Sequence, residues 1–124
     1  MNVEKIDKLI ERIRSLPDVE NMETEQPLSL REDYFAETPC GTVGCIAGEA
    51  CLMEGCPLPF PDRVNGPYLK AMAILDIGYG LAEDVFYVGG WPDELAIEYR
   101  AANSLTQQRA VMIERLEYLK EFGQ

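Results

Sequence analysis

The hydrophobic positions along this chain recur at helical spacing, and no stretch of convincing length alternates as a β-strand does. The clearest periodicity covers residues 2–16 and predicts an amphipathic helix. Pro17 ends that helix, because the residue before a proline is pushed out of the helical conformation. The predicted core face of this first helix consists of Val3, Ile6, Leu9, Ile10, Ile13 and Leu16.

Residues 42–54 predict a second helix with protein on every side. Its apolar stripe consists of Val43, Ile46, Ala47, Ala50 and Met53. The small residues that form another face, along which a second backbone can approach closely, are Gly44, Gly48 and Cys51. Gly55 follows directly and is suited to the left-handed cap that ends many helices.

The second half of the chain predicts further helices. Pro67 suits the first position of a helix that runs to about Ile77. The residues of this helix that are expected to face the core are Leu69, Met72, Ala73 and Ile77. Two glycines, Gly78 and Gly80, then interrupt the chain before a short helix over 81–87.

Two more helices are predicted over 93–102 and 105–122, and the last one opens with a capping-box spacing from Ser104 to Gln107. The core side of that last helix is predicted to hold Leu105, Met112, Leu116 and Leu119. Segments 17–29 and 56–66 predict loops. The chain therefore predicts an all-α fold, in which residues 1–124 form a single compact domain of about five helices around a central helix rich in cysteine, glycine and alanine.

Composition adds a strong negative charge, since 22 acidic residues against 11 basic ones give a formal net charge of −11. Such a chain repels nucleic acid phosphates, so direct DNA or RNA binding is not expected and a basic protein surface is the favoured partner. The simpler interpretation is that the acidity only confers solubility. The acids concentrate between Asp18 and Glu37, where Arg31 is the only base.

Candidate partner-binding residues follow from this distribution. They are the acids Asp18, Glu20, Glu23, Glu25, Glu32 and Asp33, together with Trp91. Trp91 is included because tryptophan and tyrosine are enriched in interaction hot spots. The default interpretation of Trp91 is core closure, in an aromatic cluster with Tyr79, Phe86 and Tyr87, and the partner-facing role is the alternative to it.

No apolar run approaches the length of about 18 residues that a membrane-spanning helix needs. The N-terminal segment mixes both charges and lacks the continuous apolar centre of a secretory signal. A cytoplasmic location without membrane contact is therefore expected, where thiols stay reduced.

Histidine is absent, which excludes Ser-His-Asp and Cys-His catalysis and every zinc site with a histidine ligand. The cysteines are spaced C-x4-C-x5-C-x4-C, unlike the closer pairs of structural zinc sites. We therefore expect no metal and no cofactor, and interpret Cys51 and Cys56 as buried, inert thiols. A thiol-based enzyme or redox sensor that uses Cys40 or Cys45 is a weaker alternative, because no histidine can act as its base.

The start of the second helix is a candidate ligand-binding site, formed by Cys40, Gly41, Thr42, Val43, Gly44 and Cys45. Backbone N–H groups at a helix N-terminus bind anions, so this turn suits an anionic small molecule such as a nucleotide. It lacks the GK[ST] ending of a P-loop, so nucleotide hydrolysis is not implied. The structural alternative is that its glycines permit a tight turn and close helix packing.

Several short motifs occur together in this chain, namely Asn21-Met22, CGTVGCIAG at 40–48, Leu75–Gly78, Val85-Phe86 and Trp91-Pro92. With the first and last helices, they resemble a family of small, uncharacterised bacterial and bacteriophage proteins over nearly the whole chain. The resemblance implies the all-α fold and a phage or bacterial context. Glu49 departs from the family pattern, which has a bulky aromatic residue or histidine there, and Gly78 stands where a helix-capping hydroxyl is usual.

Small size, strong acidity, the absence of histidine and this resemblance together favour a non-enzymatic interaction protein. It is expected to bind a basic surface of a host protein and to inhibit or regulate that protein, as an anti-defence protein does. The alternatives are the binder of an anionic ligand and the thiol-based protein described above.

Overall fold

The computed structural model describes residues 1–16, 46–55 and 66–124, and the regular structure in these ranges is entirely helical. The elements are α1 (Val3–Ser15), α2 (Ile46–Met53), α3 (Gly66–Leu75), α4 (Tyr79–Phe86), a 3-10 turn (Val88–Gly90), α5 (Asp93–Ala101) and α6 (Leu105–Phe122). A single hydrophobic core draws side chains from every one of these α-helices. The predicted all-α fold is confirmed.

Helix α2 lies at the centre of the fold. Every residue from Ile46 to Cys51 is buried, and α2 contacts α1, α3 and α4. Its alanines and its glycine let these neighbours approach closely, so the helix is enclosed by protein as predicted. Gly55 follows it in the left-handed conformation, with a φ of +81°, which confirms the predicted cap.

Helix α1 packs its apolar face against α2 and α6. The residues that are buried as predicted are Ile6, Leu9, Ile10 and Ile13. Val3 was expected on the same face but is 45% exposed, because it lies in the first turn, at the edge of the packed surface. The side chain of Asn2 caps this end by accepting a hydrogen bond from the Lys5 N–H at 3.1 Å.

The orientation of α3 differs from the prediction. Of the four residues expected to face the core, Ile77 is buried and Met72 half-buried, but Leu69 is 52% exposed and Ala73 is exposed as well. The side chains that α3 does bury are those of Tyr68, Ala71 and Leu75. The core face of α3 is therefore turned by one residue from the predicted one.

An aromatic contact accounts for this rotation. The Tyr68 ring packs edge-on against Phe86 of α4, with 5.3 Å between the ring centres. The same ring also contacts Tyr79 and Tyr87. Because an aromatic side chain buries more apolar surface than leucine, α3 turns Tyr68 inward and leaves Leu69 outside.

The break between α3 and α4 lies earlier than predicted. Asp76 adopts a left-handed conformation with a φ of +53°, and Gly78 is the N-cap of α4. Gly80 lies inside α4 and does not interrupt it. The Gly78 cap supplies no side-chain hydrogen bond, so α4 starts without the stabilisation that serine or threonine gives at this position.

Helix α6 has 18 residues and packs against both α1 and α5. Ser104 is the N-cap, as its spacing predicts, but the return hydrogen bond to Gln107 comes from the residue before the cap. The Ser104 hydroxyl accepts a hydrogen bond from the Gln107 N–H at 3.2 Å, and the Gln107 side chain accepts one from the Asn103 N–H at 2.7 Å. The predicted core face is confirmed for Met112, Leu116 and Leu119. Helices α5 and α6 thus form a hairpin closed by the short connection 102–104.

The 3-10 turn brings its backbone close to the end of α4 at Gly90. A Cβ atom on Gly90 would lie 2.7 Å from the Asp84 Cα and 3.2 Å from the Glu83 carbonyl oxygen. A Cβ atom on the adjacent Gly89 would meet no atom within 4 Å. The two glycines therefore form a matched pair, with which the close contact between the 3-10 turn and α4 can be tested.

We predict that Gly90→Ala lowers the free energy of unfolding by about 2 kcal/mol, because the backbone of α4 has to shift. Gly89→Ala is the control, and it should change the free energy of unfolding by no more than about 0.5 kcal/mol. Urea denaturation followed by circular dichroism measures both. Equal losses in the two variants would show that the close approach does not exist.

Candidate functional site

Most of the site residues predicted from sequence lie outside the described ranges. They are the helix-start residues Cys40, Gly41, Thr42, Val43, Gly44 and Cys45, and the acids Asp18, Glu20, Glu23, Glu25, Glu32 and Asp33. Their roles stay predictions. Trp91, the remaining partner-binding candidate, lies within the described ranges.

Trp91 is a core residue, which corrects its assignment to a partner-binding surface. It is only 5% exposed, and its Nε1 donates a hydrogen bond to the Val85 carbonyl oxygen at 2.7 Å. Its ring meets Tyr99 edge-on at 5.1 Å. A buried indole N–H needs an acceptor, which the last turn of α4 supplies, so the default interpretation of core closure is the correct one.

Cys51 is fully buried in α2, as predicted for a thiol that packs like a small apolar group. Cys56, predicted to do the same, lies outside the described ranges. Within those ranges, no three acidic or cysteine side chains come close enough together to hold a metal ion.

A buried ion pair joins α1 and α2. The Glu49 side chain is 3% exposed, and its Oε1 accepts a hydrogen bond from the Arg12 Nε at 3.2 Å. Arg12 is 32% exposed, so its guanidinium reaches from the surface into the core. In the sequence, Glu49 stands out as a departure from a family pattern. It is also a charged residue on an otherwise apolar helix, which indicates that a hydrogen-bonding or oppositely charged side chain has to lie beside it.

The surroundings of Glu49 disfavour its ionisation. Burial raises the pKa of its carboxyl above the usual value, and the positive charges of Arg12 and, more weakly, Arg109 oppose that rise. Because Glu49 is hydrogen-bonded and closed off from solvent, it acts as a structural partner of α1, and we assign it no part in binding or chemistry.

A second buried charge, Arg115, holds α6 against the end of α4. This side chain is fully buried, and its Nη2 donates hydrogen bonds to the main-chain oxygens of Asp84 at 3.0 Å and Gln124 at 2.6 Å. Its Cζ lies 5.5 Å from the centre of the Tyr118 ring. Burial lowers the pKa of Arg115, against the influence of Tyr118 and Asp84. This arginine therefore does not neutralise acids on the outer side of α6.

A groove of about 500 Å³ runs along the outer side of α6, between the end of α1 and the start of α5, and we refer to it as the acidic groove. Its lining consists of Arg14, Pro92, Asp93, Glu94, Leu95, Ile113, Glu114, Glu117, Tyr118 and Glu121. The carboxylates from α6 share one face because they are spaced three and four residues apart. Those from α5 belong to its first turn.

The acidic groove has an excess of negative charge. Five of its lining residues are acidic and one, Arg14, is basic. Arg14 is paired with Glu11 of its own helix. The neighbouring base on α6, Lys120, bridges Asp7 at 2.6 Å and Glu117 at 3.3 Å. Arg14 is thus paired outside the groove and Lys120 offsets Glu117, so the remaining lining acids keep the field of the groove negative.

Two carboxyl groups meet beside the groove, Glu114 of α6 and Glu98 of α5. Desolvation raises the pKa of Glu114, and the hydrogen bond with Glu98 and its negative charge raise that pKa further. A proton held between the two groups relieves the repulsion of like charges. A positively charged group beside the two carboxyl groups would also reduce this repulsion.

Apolar side chains form the floor between these acids, namely Leu95, Ile113 and Tyr118. Lysine and arginine have an aliphatic stem and a charged end, so they match a surface that combines an apolar floor with carboxylates. The arrangement is therefore suited to holding basic side chains.

Sequence reasoning missed this groove for an identifiable reason. The C-terminal segment looks balanced in sequence, because its bases offset its glutamates. In the structure Arg115 is buried and Lys120 is held in ion pairs. The helical spacing of Glu114, Glu117 and Glu121 was the available signal, since it places all three on one face.

No protein-family model matches the chain, and neither a curated protein nor a solved structure is significantly similar to it. The resemblance to bacterial and bacteriophage proteins therefore stays a prediction. None of the described helices is long and apolar enough to cross a membrane.

We predict that the contribution of Glu49 to stability falls as the pH rises. Its pKa in the folded protein lies above the usual 4.5, so between these two pKa values the folded state binds more protons than the unfolded state. The free energy of unfolding therefore decreases as the pH rises through this window, and the contribution is constant above it. Urea denaturation of the wild type and Glu49→Gln, from about pH 4 to about pH 8, measures the effect.

Glu49→Gln keeps an acceptor for Arg12 and cannot titrate, so the difference between the two proteins isolates this carboxyl group. We expect the wild type to lose stability relative to the variant as the pH rises. Glu83→Gln, at an exposed position on α4, controls for the loss of one carboxylate. A wild-type advantage that stays constant or grows with pH would contradict the prediction.

Proposed function

We propose that this chain is a non-enzymatic binding protein that captures a basic segment of a partner protein in the acidic groove. The observation that carries the proposal is the combination of five carboxylates, one arginine and an apolar floor along α6. The net charge of −11 supports it, because a strong negative field attracts basic partners and speeds their encounter.

The two parts of the groove contribute differently to affinity. An exposed ion pair is worth about 0–1 kcal/mol, so the carboxylates alone give weak binding that salt suppresses. Burial of apolar surface adds about 25 cal/mol per Å² and is insensitive to charge screening. A partner therefore needs apolar atoms against Ile113 and Tyr118 as well as positive charges beside them.

The partner that we propose is a basic surface of a host protein, which binding inhibits or regulates in the manner of an anti-defence protein. The resemblance to bacteriophage proteins supports this context. The acids between Asp18 and Glu37 support the preference for a basic partner, because an approaching protein meets the field of the whole chain.

The groove can be tested by removing charge from it. We predict that Glu94→Gln combined with Glu121→Gln weakens the binding of a labelled peptide of lysine and leucine about fivefold to tenfold, because two favourable charge pairs are lost. Fluorescence anisotropy at low salt measures the dissociation constant. Wild-type affinity should also fall as salt is raised.

Glu4→Gln combined with Glu83→Gln is the matched control, since it removes the same charge from exposed positions on α1 and α4. Glu4 lies in the first turn of α1, as Glu94 does in α5, so one member of each pair alters a helix N-terminus alike. The control should bind the peptide nearly as the wild type does. Equal weakening by both pairs would assign the binding to overall charge and reject the groove.

A further inference from the structure

Two aromatic side chains, Tyr118 and Phe122, lie at the C-terminal end of α6, and we refer to them as the aromatic pair. Their ring centres are 4.6 Å apart, and the ring planes are tilted by 48°. Tyr118 lines the acidic groove, whereas Phe122, one turn further along the helix, is 54% exposed. The aromatic pair therefore continues the apolar floor of the groove to a surface that solvent reaches.

The end of α6 holds Phe122 in place. Gly123 adopts a left-handed conformation with a φ of +69°, and its N–H donates a hydrogen bond to the Leu119 carbonyl oxygen at 2.8 Å. The helix thus ends directly after Phe122, whose backbone belongs to a capped last turn.

Carboxylates flank the aromatic pair on the same face of α6. Glu114 lies one turn before it and Glu121 lies within it, at helical spacing from both rings. Glu114 meets Glu98 of α5, which adds negative charge instead of offsetting it. Glu117 is partly offset, since Lys120 bridges it at 3.3 Å. The negative charge beside the rings therefore comes mainly from Glu114 and Glu121.

An arginine of the chain itself already contacts one of these rings from the core side. Arg115 is fully buried, and its Cζ lies 5.5 Å from the centre of the Tyr118 ring. Main-chain oxygens hold Arg115 inside the protein, so it is not a partner for the acids of the groove. The exposed ring of Phe122 offers a similar contact to a guanidinium that arrives from solvent.

Arginine fits this combination of rings and carboxylates better than lysine does. A guanidinium is planar and weakly hydrated, so it stacks on an aromatic face while its N–H groups point outward in the plane. Carboxylates beside the ring can accept hydrogen bonds from the same group that stacks on it. The ammonium of lysine is compact and strongly hydrated, so it gains the ion pair but less of the contact with the ring.

We propose that the aromatic pair makes the acidic groove selective for arginine over lysine, so that the captured segment is an arginine-containing segment of a partner protein whose guanidinium stacks on Phe122 beside Glu121. The inference rests on the proposed function, because it names the basic side chain that the acidic groove selects.

Two labelled peptides of the same sequence, one with arginine and one with lysine at every basic position, test the selectivity. We expect the arginine peptide to bind the wild-type chain about fivefold more tightly at low salt, measured by fluorescence anisotropy. In Phe122→Leu this preference should fall to about twofold or less, because leucine keeps the apolar contact but has no aromatic face. The lysine peptide should bind Phe122→Leu nearly as it binds the wild type.

Two control variants accompany this substitution. Phe122→Tyr keeps a ring at the same position and should retain the preference for arginine. Tyr79→Leu removes a ring that is 61% exposed on α4 and should retain it too. Circular dichroism shows whether the variants fold, and a third peptide, with trimethyl-lysine at the basic positions, tests the wild type without any substitution.

The outcomes separate this inference from the proposed function. Equal wild-type affinity for the arginine and lysine peptides, or an unchanged preference in folded Phe122→Leu, overturns the selectivity and leaves capture of a basic segment standing. Tighter binding of the trimethyl-lysine peptide than of the arginine peptide also overturns it, because that side chain cannot donate hydrogen bonds to the carboxylates. Failure of all three peptides to bind overturns both the inference and the proposed function.

Discussion

The contact between Glu49 and Arg12 is the constraint on which the rest of this structure depends. Because α2 is buried on every side, a charge on it has to be satisfied inside the protein, and Arg12 of α1 does this. Removing one partner of such a pair typically costs about 3–5 kcal/mol, more than any exposed ion pair contributes. The pair therefore adds a directional contact between α1 and α2 to the burial of the apolar face of α1, which also packs on α6.

The acidity of the groove results from the rotation of α6, because the composition of this helix is neutral. The helix contains three bases and three acids, Arg109, Arg115, Lys120, Glu114, Glu117 and Glu121. Arg115 turns inward and donates to main-chain oxygens, while Lys120 reaches across to Asp7 of α1. The three glutamates stay on the outer side. Packing thus buries one of the three bases, holds Lys120 in ion pairs, and leaves the three glutamates exposed on the outer side of the helix.

Much of the fold could be predicted from the sequence, because helical periodicity, proline and glycine positions and the Ser104 cap are local signals. The rotation of α3 could not, since it depends on Tyr68 meeting Phe86 from another helix. The same limit applies to the site. Whether an arginine side chain is buried or exposed depends on residues far away in the sequence. The burial of Arg115, which removes a base from the outer side of α6, could therefore not be predicted. Trp91 was a candidate for binding a partner because its type is common in interfaces. The acceptor that keeps its indole N–H satisfied in the core is the Val85 carbonyl, a backbone atom whose position the sequence does not reveal.

The hairpin of α5 and α6 has a mechanical consequence. Its closed end is the connection 102–104, whereas the acidic groove lies at its open end, beside Asp93 and Glu121. Helix α5 has nine residues and is therefore a lever about 13 Å long. A tilt of about 10° at the closed end moves the open end by about 2 Å, which is enough to change how a side chain fits. A change of tilt at the connection would therefore change the width of the groove at the other end of the hairpin.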